Sequence, residues 1–181
     1  MGEIKLQNVK ICRQLLNDVK DLYFKSFPPE ERRSWESVKR LLQADCSAYN
    51  LKVIMCQEGF AGFISYWHFE EFCYVEHFAI NPQLRGCGIG SSVLQQFVGE
   101  IDCPVVLEVE LADSGEMARR RIAFYLRIGF EAHANFEYLQ PSYGDSLPAV
   151  PLMLMTINAP SNFDLKKVAQ ILYREVYGIK S

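Results

Sequence analysis

At 181 residues the chain is long enough to bury a core of its own without disulfide or metal staples, and one domain over 1–181 is the economical reading. A composition of 49% hydrophobic and 23% charged residues, with no repeat or low-complexity tract, excludes a disordered or fibrous chain. The net charge of −3 gives no electrostatic case for nucleic acid, and no apolar run reaches membrane-spanning length.

The six cysteines Cys12, Cys46, Cys56, Cys73, Cys87 and Cys103 stand singly, without a CxxC pair, and no metal site is expected from them. The opening MGEIKL is too polar for a secretory signal, and Leu6 stands where a myristoylation motif needs Ser or Thr. Reduced thiols in a cytoplasmic protein are the expectation.

In chain order, Ile4 to Val9 alternates weakly as a short strand, and Cys12 to Phe27 spaces Leu15, Leu16, Val19, Leu22 and Tyr23 as a helix. Pro28 and Pro29 stop it at a charged corner, PPEERR, and a second helix starts at the N-cap candidate Ser34. From Tyr49 the period changes to two. Strands to Cys56, to Phe69 and from Phe72 to Ile80, with turns at Glu58-Gly59 and Glu70-Glu71, form an antiparallel meander. A helix from Gly90 to Ile101 then leads to a strand from Val105 to Leu111, predicted parallel to its predecessor. A second crossover helix runs from Glu116 to Ile128, with Gly129 at its C-cap. Strands from Phe130 and over Val150 to Ile157 close the sheet around the irregular loop QPSYGDSLPA. A last helix, 163–177, is expected to be a packing appendage on a core of about 4–158.

The segment of greatest chemical interest is YVEHFAINPQLRGCGIGS, from Tyr74 to Ser91. An apolar strand stops at Pro82, and Gly86, Gly88 and Gly90 open the next helix directly after Arg85. Glycines let backbone N–H groups converge on one anion, and the helix directs its unpaired amides and positive dipole end at the same place. The alternative is a tight connection that needs glycine only for its dihedrals.

The meander followed by βαβ, with this turn at the junction, resembles the GNAT superfamily of acyl-CoA-dependent N-acyltransferases. Gln83-Leu-Arg-Gly86-Cys-Gly88 matches that family's Q/R-x-x-G-x-G/A loop, and Phe124-Tyr125 with Gly129-Phe130 matches its FYxxxGF signature. The likeness extends from about Ile4 to Ile157. The string ARRRIAFYLRIGF, with Tyr138, Gln140-Pro141 and Pro151-Leu152, is similar to one bacterial-type branch. The resemblance implies an α+β fold, a twisted mixed sheet of about seven strands flanked by helices, plus the extra C-terminal helix.

It also implies roles. The loop Arg85, Gly86, Cys87, Gly88, Ile89, Gly90 and Ser91 would hold the pyrophosphate of acetyl-CoA, and Phe78, Ala79 and Ile80 would pair their backbone with the pantetheine amides in a gap between two strands. Tyr125 would protonate the departing thiolate, its reference pKa of ~10 lying above the ~8.5 of a thiol. For the base, Glu76 is the first choice, because burial among Tyr74, Val75 and Phe78 should raise its pKa. His77, Glu108 and Glu110 remain open, and so does an ion-paired, non-catalytic Glu76. Cys87 is read as filler between glycines, not a nucleophile. The family often has Asn where this chain has Ala118, and Arg119, Arg120 and Arg121 are read as a solvated helix face.

The implied reaction is acetyl transfer to a primary amine of a small molecule or peptide by direct attack in a ternary complex. The acidic and aromatic residues Glu30, Glu31, Trp35, Tyr138 and Tyr143 suit a cationic acceptor. Homodimerisation stays open. A dinucleotide-binding enzyme fits less well, because the spacing is GxGxG and the meander is foreign to that fold. A non-catalytic acyl-CoA-binding module is the other alternative.

Overall fold

The computed structural model describes residues 4–8, 13–44, 48–144 and 146–179. Met1-Gly2-Glu3, Val9, Cys12, Cys46 and Asp145 lie outside the described residues. The period-two stretches pair as β1 (Lys5–Asn8), β2 (Tyr49–Cys56), β3 (Gly59–His68) and β4 (Cys73–Ile80), an antiparallel meander. Helix α3 (Ile89–Gly99) carries the chain to β5 (Val105–Glu110), parallel to β4. Helix α4 (Glu116–Ile128) ends at Gly129, whose φ of +111° closes the helix in the left-handed region.

The closing strand expected from Phe130 is two short strands, β6 (Glu131–Ala132) and β7 (Tyr138–Gln140), each antiparallel to β8 (Val150–Ile157). A turn in which the Phe136 amide bonds the His133 carbonyl at 3.0 Å separates them. The sheet has eight strands in the order β1-β2-β3-β4-β5-β8-β6, with β7 also on β8.

Helices α1 (Arg13–Ser26), α2 (Trp35–Gln43) and α5 (Leu165–Ile171) cover one face. Val19, Leu22, Tyr23, Val38, Val168 and Leu172 pack there on Val53, Phe63, Tyr74 and Leu154. The apolar stripe of α3 and the inner side of α4 cover the other, where Leu94, Phe97 and Ile122 meet Ile64, Val75, Leu107 and Met155. Helix α3 begins one residue earlier than its periodicity predicts, because Gly88 at φ +77° caps it. No helix among the described residues is long and apolar enough to cross a membrane.

One irregularity sets the shape of the sheet centre. Ser65 pairs with His77 but Tyr66 pairs with Val75, so Glu76 is an extra residue in β4, a β-bulge. The parallel ladder between β4 and β5 covers only Cys73 to Val75 against Val105 to Leu107. Beyond it the two strands separate, and Glu76 to Ile80 have no partner on the β5 side.

On its other side β4 is held tightly to β3. A Cβ added at Gly62 would lie 2.2 Å from the Ala79 carbonyl oxygen, backbone that cannot move without opening the sheet. Gly62→Ala should therefore destabilise the protein by about 2 kcal/mol, the cost of overpacking a rigid site. Thermal denaturation should show a midpoint lowered by roughly 4–8 °C; an unchanged midpoint would contradict this register.

Candidate functional site

The separation of β4 from β5 opens a cleft of about 650 Å³. Phe78, Ala79, Ile80, Arg85, Gly86, Gly88, Ile89, Gly90 and Ser91 line one part of it, with Tyr125 and Phe124 of α4. Glu31, Glu76, Glu108, Glu110, Gln140 and Tyr143 line another. Of the residues given site roles from the sequence, Cys87 and His77 are not among the lining residues, and neither are Glu30, Trp35 and Tyr138 of the expected acceptor side.

The glycine turn is built on backbone conformation. Gly86 and Gly88 have φ of +82° and +77°, values that other residues adopt only at a cost. The first amide bond of α3 runs from Ser92 to the Gly88 carbonyl at 3.1 Å, and Gly88 has no side chain to cap the helix. The amides of Ile89, Gly90 and Ser91 thus begin the helix without intrahelical partners, the arrangement that suits a phosphate group. Arg85 does not reach outward with its whole guanidinium; its Nε donates to the Ile80 carbonyl at 3.0 Å, tying the turn to the end of β4.

Glu76 differs from expectation. Its side chain is 0% exposed, so the accessible surface of this residue belongs to its main chain. Its Oε1 lies 2.6 Å from Arg33 Nε and accepts from the Tyr143 hydroxyl at 2.8 Å, while Oε2 accepts from Trp67 Nε1 at 2.8 Å. Burial alone would push this carboxyl up, as the sequence reading supposed. Arg33, then His77, Trp67 and Tyr143 outweigh burial and hold it below the usual carboxylate range. A carboxylate so saturated is a poor base.

Arg33 itself comes from the corner read as solvated, and it is only 12% exposed. Tyr23 of α1 fixes this corner: its hydroxyl accepts from the Arg33 amide at 2.7 Å and donates to the Arg33 carbonyl at 3.3 Å. The guanidinium lies over the rings of Trp67 and Tyr143, and its Nη2 donates to the Val176 carbonyl at 2.6 Å.

His77, beside the bulge, points to the same face as Glu76 and is buried between the rings of Tyr23 and Phe27. Its Nδ1 meets Ser65 Oγ and its Nε2 meets the Glu31 carbonyl, and burial pushes its pKa down. It is a neutral core histidine. Glu110 is paired with Arg121, which makes Arg121 part of the cleft wall and not simply a solvated face. Arg119 and Arg120 bond the Ala112 carbonyl and Glu116.

Among the described residues no cation pairs with Glu108. Its partners are phenols: the Tyr138 hydroxyl donates to Oε1, and the Tyr177 hydroxyl lies 3.1 Å from Oε1 and 2.9 Å from Oε2. Burial pushes its pKa up to about 7, against the opposing hydrogen bonds of Tyr138, Tyr74 and Tyr177. Burial likewise pushes Tyr125 up to about 12. The cleft therefore presents a carboxyl that exchanges its proton near neutral pH and a phenol that keeps one.

Three residues of this region escaped the sequence reading. Arg33 could have been sought, since a Glu inside the apolar run CYVEHFAI needs a buried cation. Ser26 lines the cleft with its hydroxyl enclosed and without a hydrogen-bond partner. Tyr177 was assigned to a packing appendage, yet the C-terminal segment brings it to Glu108.

Comparison with known proteins places this geometry in context. The family described as Acetyltransferase (GNAT) domain matches residues 47–132. A solved GNAT-family protein from Bacteroides thetaiotaomicron, assigned as an acetyltransferase, is 35% identical over 98% of this chain and 99% of its own, with a TM-score of 0.88. The assigned acetyltransferase YjbC of Bacillus subtilis (strain 168) is 26% identical over 117 residues, 64% of this chain; the match spans 58% of YjbC. The spermidine N-acetyltransferase of Vibrio cholerae, solved with CoA and spermine, shares the fold: TM-score 0.62 at 12% identity, over 85% of this chain and 94% of its own.

Removing Arg33 would leave a buried, uncompensated carboxylate, so Arg33→Met should cost about 3–5 kcal/mol at pH 7. In the wild type Glu76 stays ionised to below the ordinary carboxylate range, whereas in Arg33→Met burial without the cation should raise its pKa and let the carboxyl take up a proton at the lower pH. Urea unfolding should accordingly show a smaller difference between variant and wild type at pH 5 than at pH 8. An equal difference at both would show that the ion pair is not the source.

Proposed function

Because the chain belongs to the GNAT acetyltransferase family, we propose that it transfers an acetyl group from acetyl-CoA to a primary amine of a small molecule or peptide, by direct attack in a ternary complex. The observation that carries this reading is the loss of pairing between β4 and β5 beyond Val75 and Leu107. It leaves a strand edge, a glycine-capped helix terminus, a protonated phenol and a neutral-range carboxyl facing one cleft.

The residues present fit acetyl-CoA. The amides of Ile89, Gly90 and Ser91, with the turn from Arg85 to Gly88, would hold the pyrophosphate. Those main-chain groups of Phe78, Ala79 and Ile80 that neither the β3 ladder nor Arg85 engages would pair with the pantetheine amides, since an exposed strand edge needs hydrogen-bond partners. Acetyl-CoA, when bound, supplies a thioester carbonyl and a thiolate leaving group. Tyr125, kept protonated by burial, delivers a proton to that leaving group. Glu108, in place of Glu76, takes the proton from the acceptor nitrogen, directly or through a water. Glu31, whose pKa burial and then Glu110 raise, lines the cleft together with Tyr143, and these two would meet the acceptor. The spermidine enzyme of Vibrio cholerae acts on a polyamine, which supports a cationic acceptor without identifying it.

A panel of amines, read by thiol release from acetyl-CoA, tests the activity; no turnover by the wild type on any member would count against it. Gly88→Glu should abolish acetyl-CoA binding in calorimetry, whereas Gly88→Asn, which tolerates the left-handed conformation, should retain most of it. Equal binding by both variants would remove the loop from the site.

Tyr125→Phe should lower kcat by about 10²-fold or more while leaving acetyl-CoA affinity within about twofold. Because the base must be ionised, kcat/KM should fall as pH drops below about 7, and Glu108→Gln should lose both rate and this acid limb. A limb that persists in Glu108→Gln would assign the base elsewhere.

A further inference from the structure

The C-terminal helix does not end as a regular helix. Beyond α5 the chain makes a π-helical turn over Leu172–Val176, and the Tyr177 amide bonds the Leu172 carbonyl, five residues back, at 3.1 Å. Such wider turns rotate the residues that follow them and occur often where a side chain must be aimed. Here the residue so aimed is Tyr177. Its ring packs on Tyr143 at 5.1 Å between centroids, and its hydroxyl reaches both oxygens of Glu108. The Tyr74 hydroxyl lies 3.2 Å from it, so the two phenols stand side by side at the carboxylate. The turn is anchored independently, because Arg33 Nη2 bonds the carbonyl of Val176, the adjacent residue.

We propose that Tyr177 is a positioning residue for Glu108: the C-terminal segment inserts this phenol so that, with Tyr138, it fixes the carboxylate in the cleft. The proposal rests on the reading that Glu108 is the base. It assigns to the last helix a part in the site that a packing element would not have. A carboxylate without a cation needs neutral donors to stay ionisable when buried, and each phenol removed should make ionisation harder. The groups facing Glu108 are Tyr138 from β7, Tyr74 and Glu76 from β4, Tyr143 from the loop after β7, and Tyr177 and Tyr173 from the C-terminal segment; the Tyr173 hydroxyl is given to the Leu139 carbonyl, and Glu76 carries its charge paired with Arg33. Of these, Glu76 opposes ionisation of Glu108, and the phenols of Tyr138, Tyr74 and Tyr177 favour it.

The test compares Tyr177→Phe with Tyr173→Phe, which deletes a hydroxyl bonded to the Leu139 carbonyl from the same C-terminal segment. Carbon-13 NMR of glutamate carboxyls, with Glu108→Gln identifying the Glu108 resonance, reads the titration without reference to turnover. Tyr177→Phe should move the Glu108 midpoint upward by roughly one pH unit, the effect of losing one hydrogen bond to a charged group. The acid limb of kcat/KM should move by the same amount, and Tyr173→Phe should move neither. A Glu108 midpoint unchanged in Tyr177→Phe, or activity lost equally at every pH, overturns the positioning role. If the NMR midpoint moves but the acid limb survives in Glu108→Gln, the coupling stands and the assignment of Glu108 as base falls.

Discussion

A buried ion pair at a bulge in the central strand is the constraint from which most of this molecule follows. Desolvating a carboxylate and a guanidinium costs several kcal/mol each, and the attraction offsets this only when the remaining valences are filled. Around Glu76 they are: Arg33, Trp67 and Tyr143 occupy its two oxygens. Satisfying Glu76 from the helical face holds the extra residue in β4, with Glu76 and His77 both on that face. The bulge, in turn, coincides with the end of pairing to β5. The cleft therefore opens where the bulge that carries this charge ends the pairing.

The same pair divides the labour between two carboxyls a short distance apart. Glu76 has a cation and stays ionised. Glu108 has only phenols, and the fixed negative charge of Glu76 adds to the burial that makes its ionisation costly. Opposite environments driving two acids apart is the pattern by which one site holds both a structural anion and a proton acceptor. Arg33 thus influences the candidate chemistry twice, once through backbone shape and once through charge, without approaching the reacting groups itself.

How much of this could be read from the residues depended on range. The meander, the βαβ unit and the glycine turn are local patterns, period two passing to period 3.6 through Gly86 and Gly88, and they appear in the structure within a residue or two. The Phe130 strand divided because a turn held by His133 and Phe136 interrupts it. The site was harder. Glu76 was correctly seen as buried, but the direction of its pKa depends on Arg33, 43 residues away in sequence, which no spacing rule connects to it. Tyr177 is 69 residues from Glu108, and its aim comes from a π-turn that hydrophobic periodicity cannot distinguish from ordinary helix. Local pattern marks the glycine turn; long-range electrostatics sets the pKa of each glutamate.

The stretch matched by the family model holds only part of the cleft. Residues 47–132 contain the bulge, the glycine turn, Glu108 and Tyr125, the parts whose work is done largely by backbone or by one protonated hydroxyl. Ser26 and Glu31 precede that span and Gln140 and Tyr143 follow it, and these line the cleft, while Arg33 and Tyr177 lie behind it on Glu76 and Glu108. Backbone slots tolerate changes of side chain, so the cofactor half can be common to enzymes with different acceptors. On the proposed reading, an acceptor half would be assembled from side chains on separate segments, joined through Arg33 to Glu76. A change of acceptor in such a protein must therefore be made without disturbing Arg33, which confines variation to residues such as Ser26, Glu31 and Gln140 that face the cleft but do not hold Glu76.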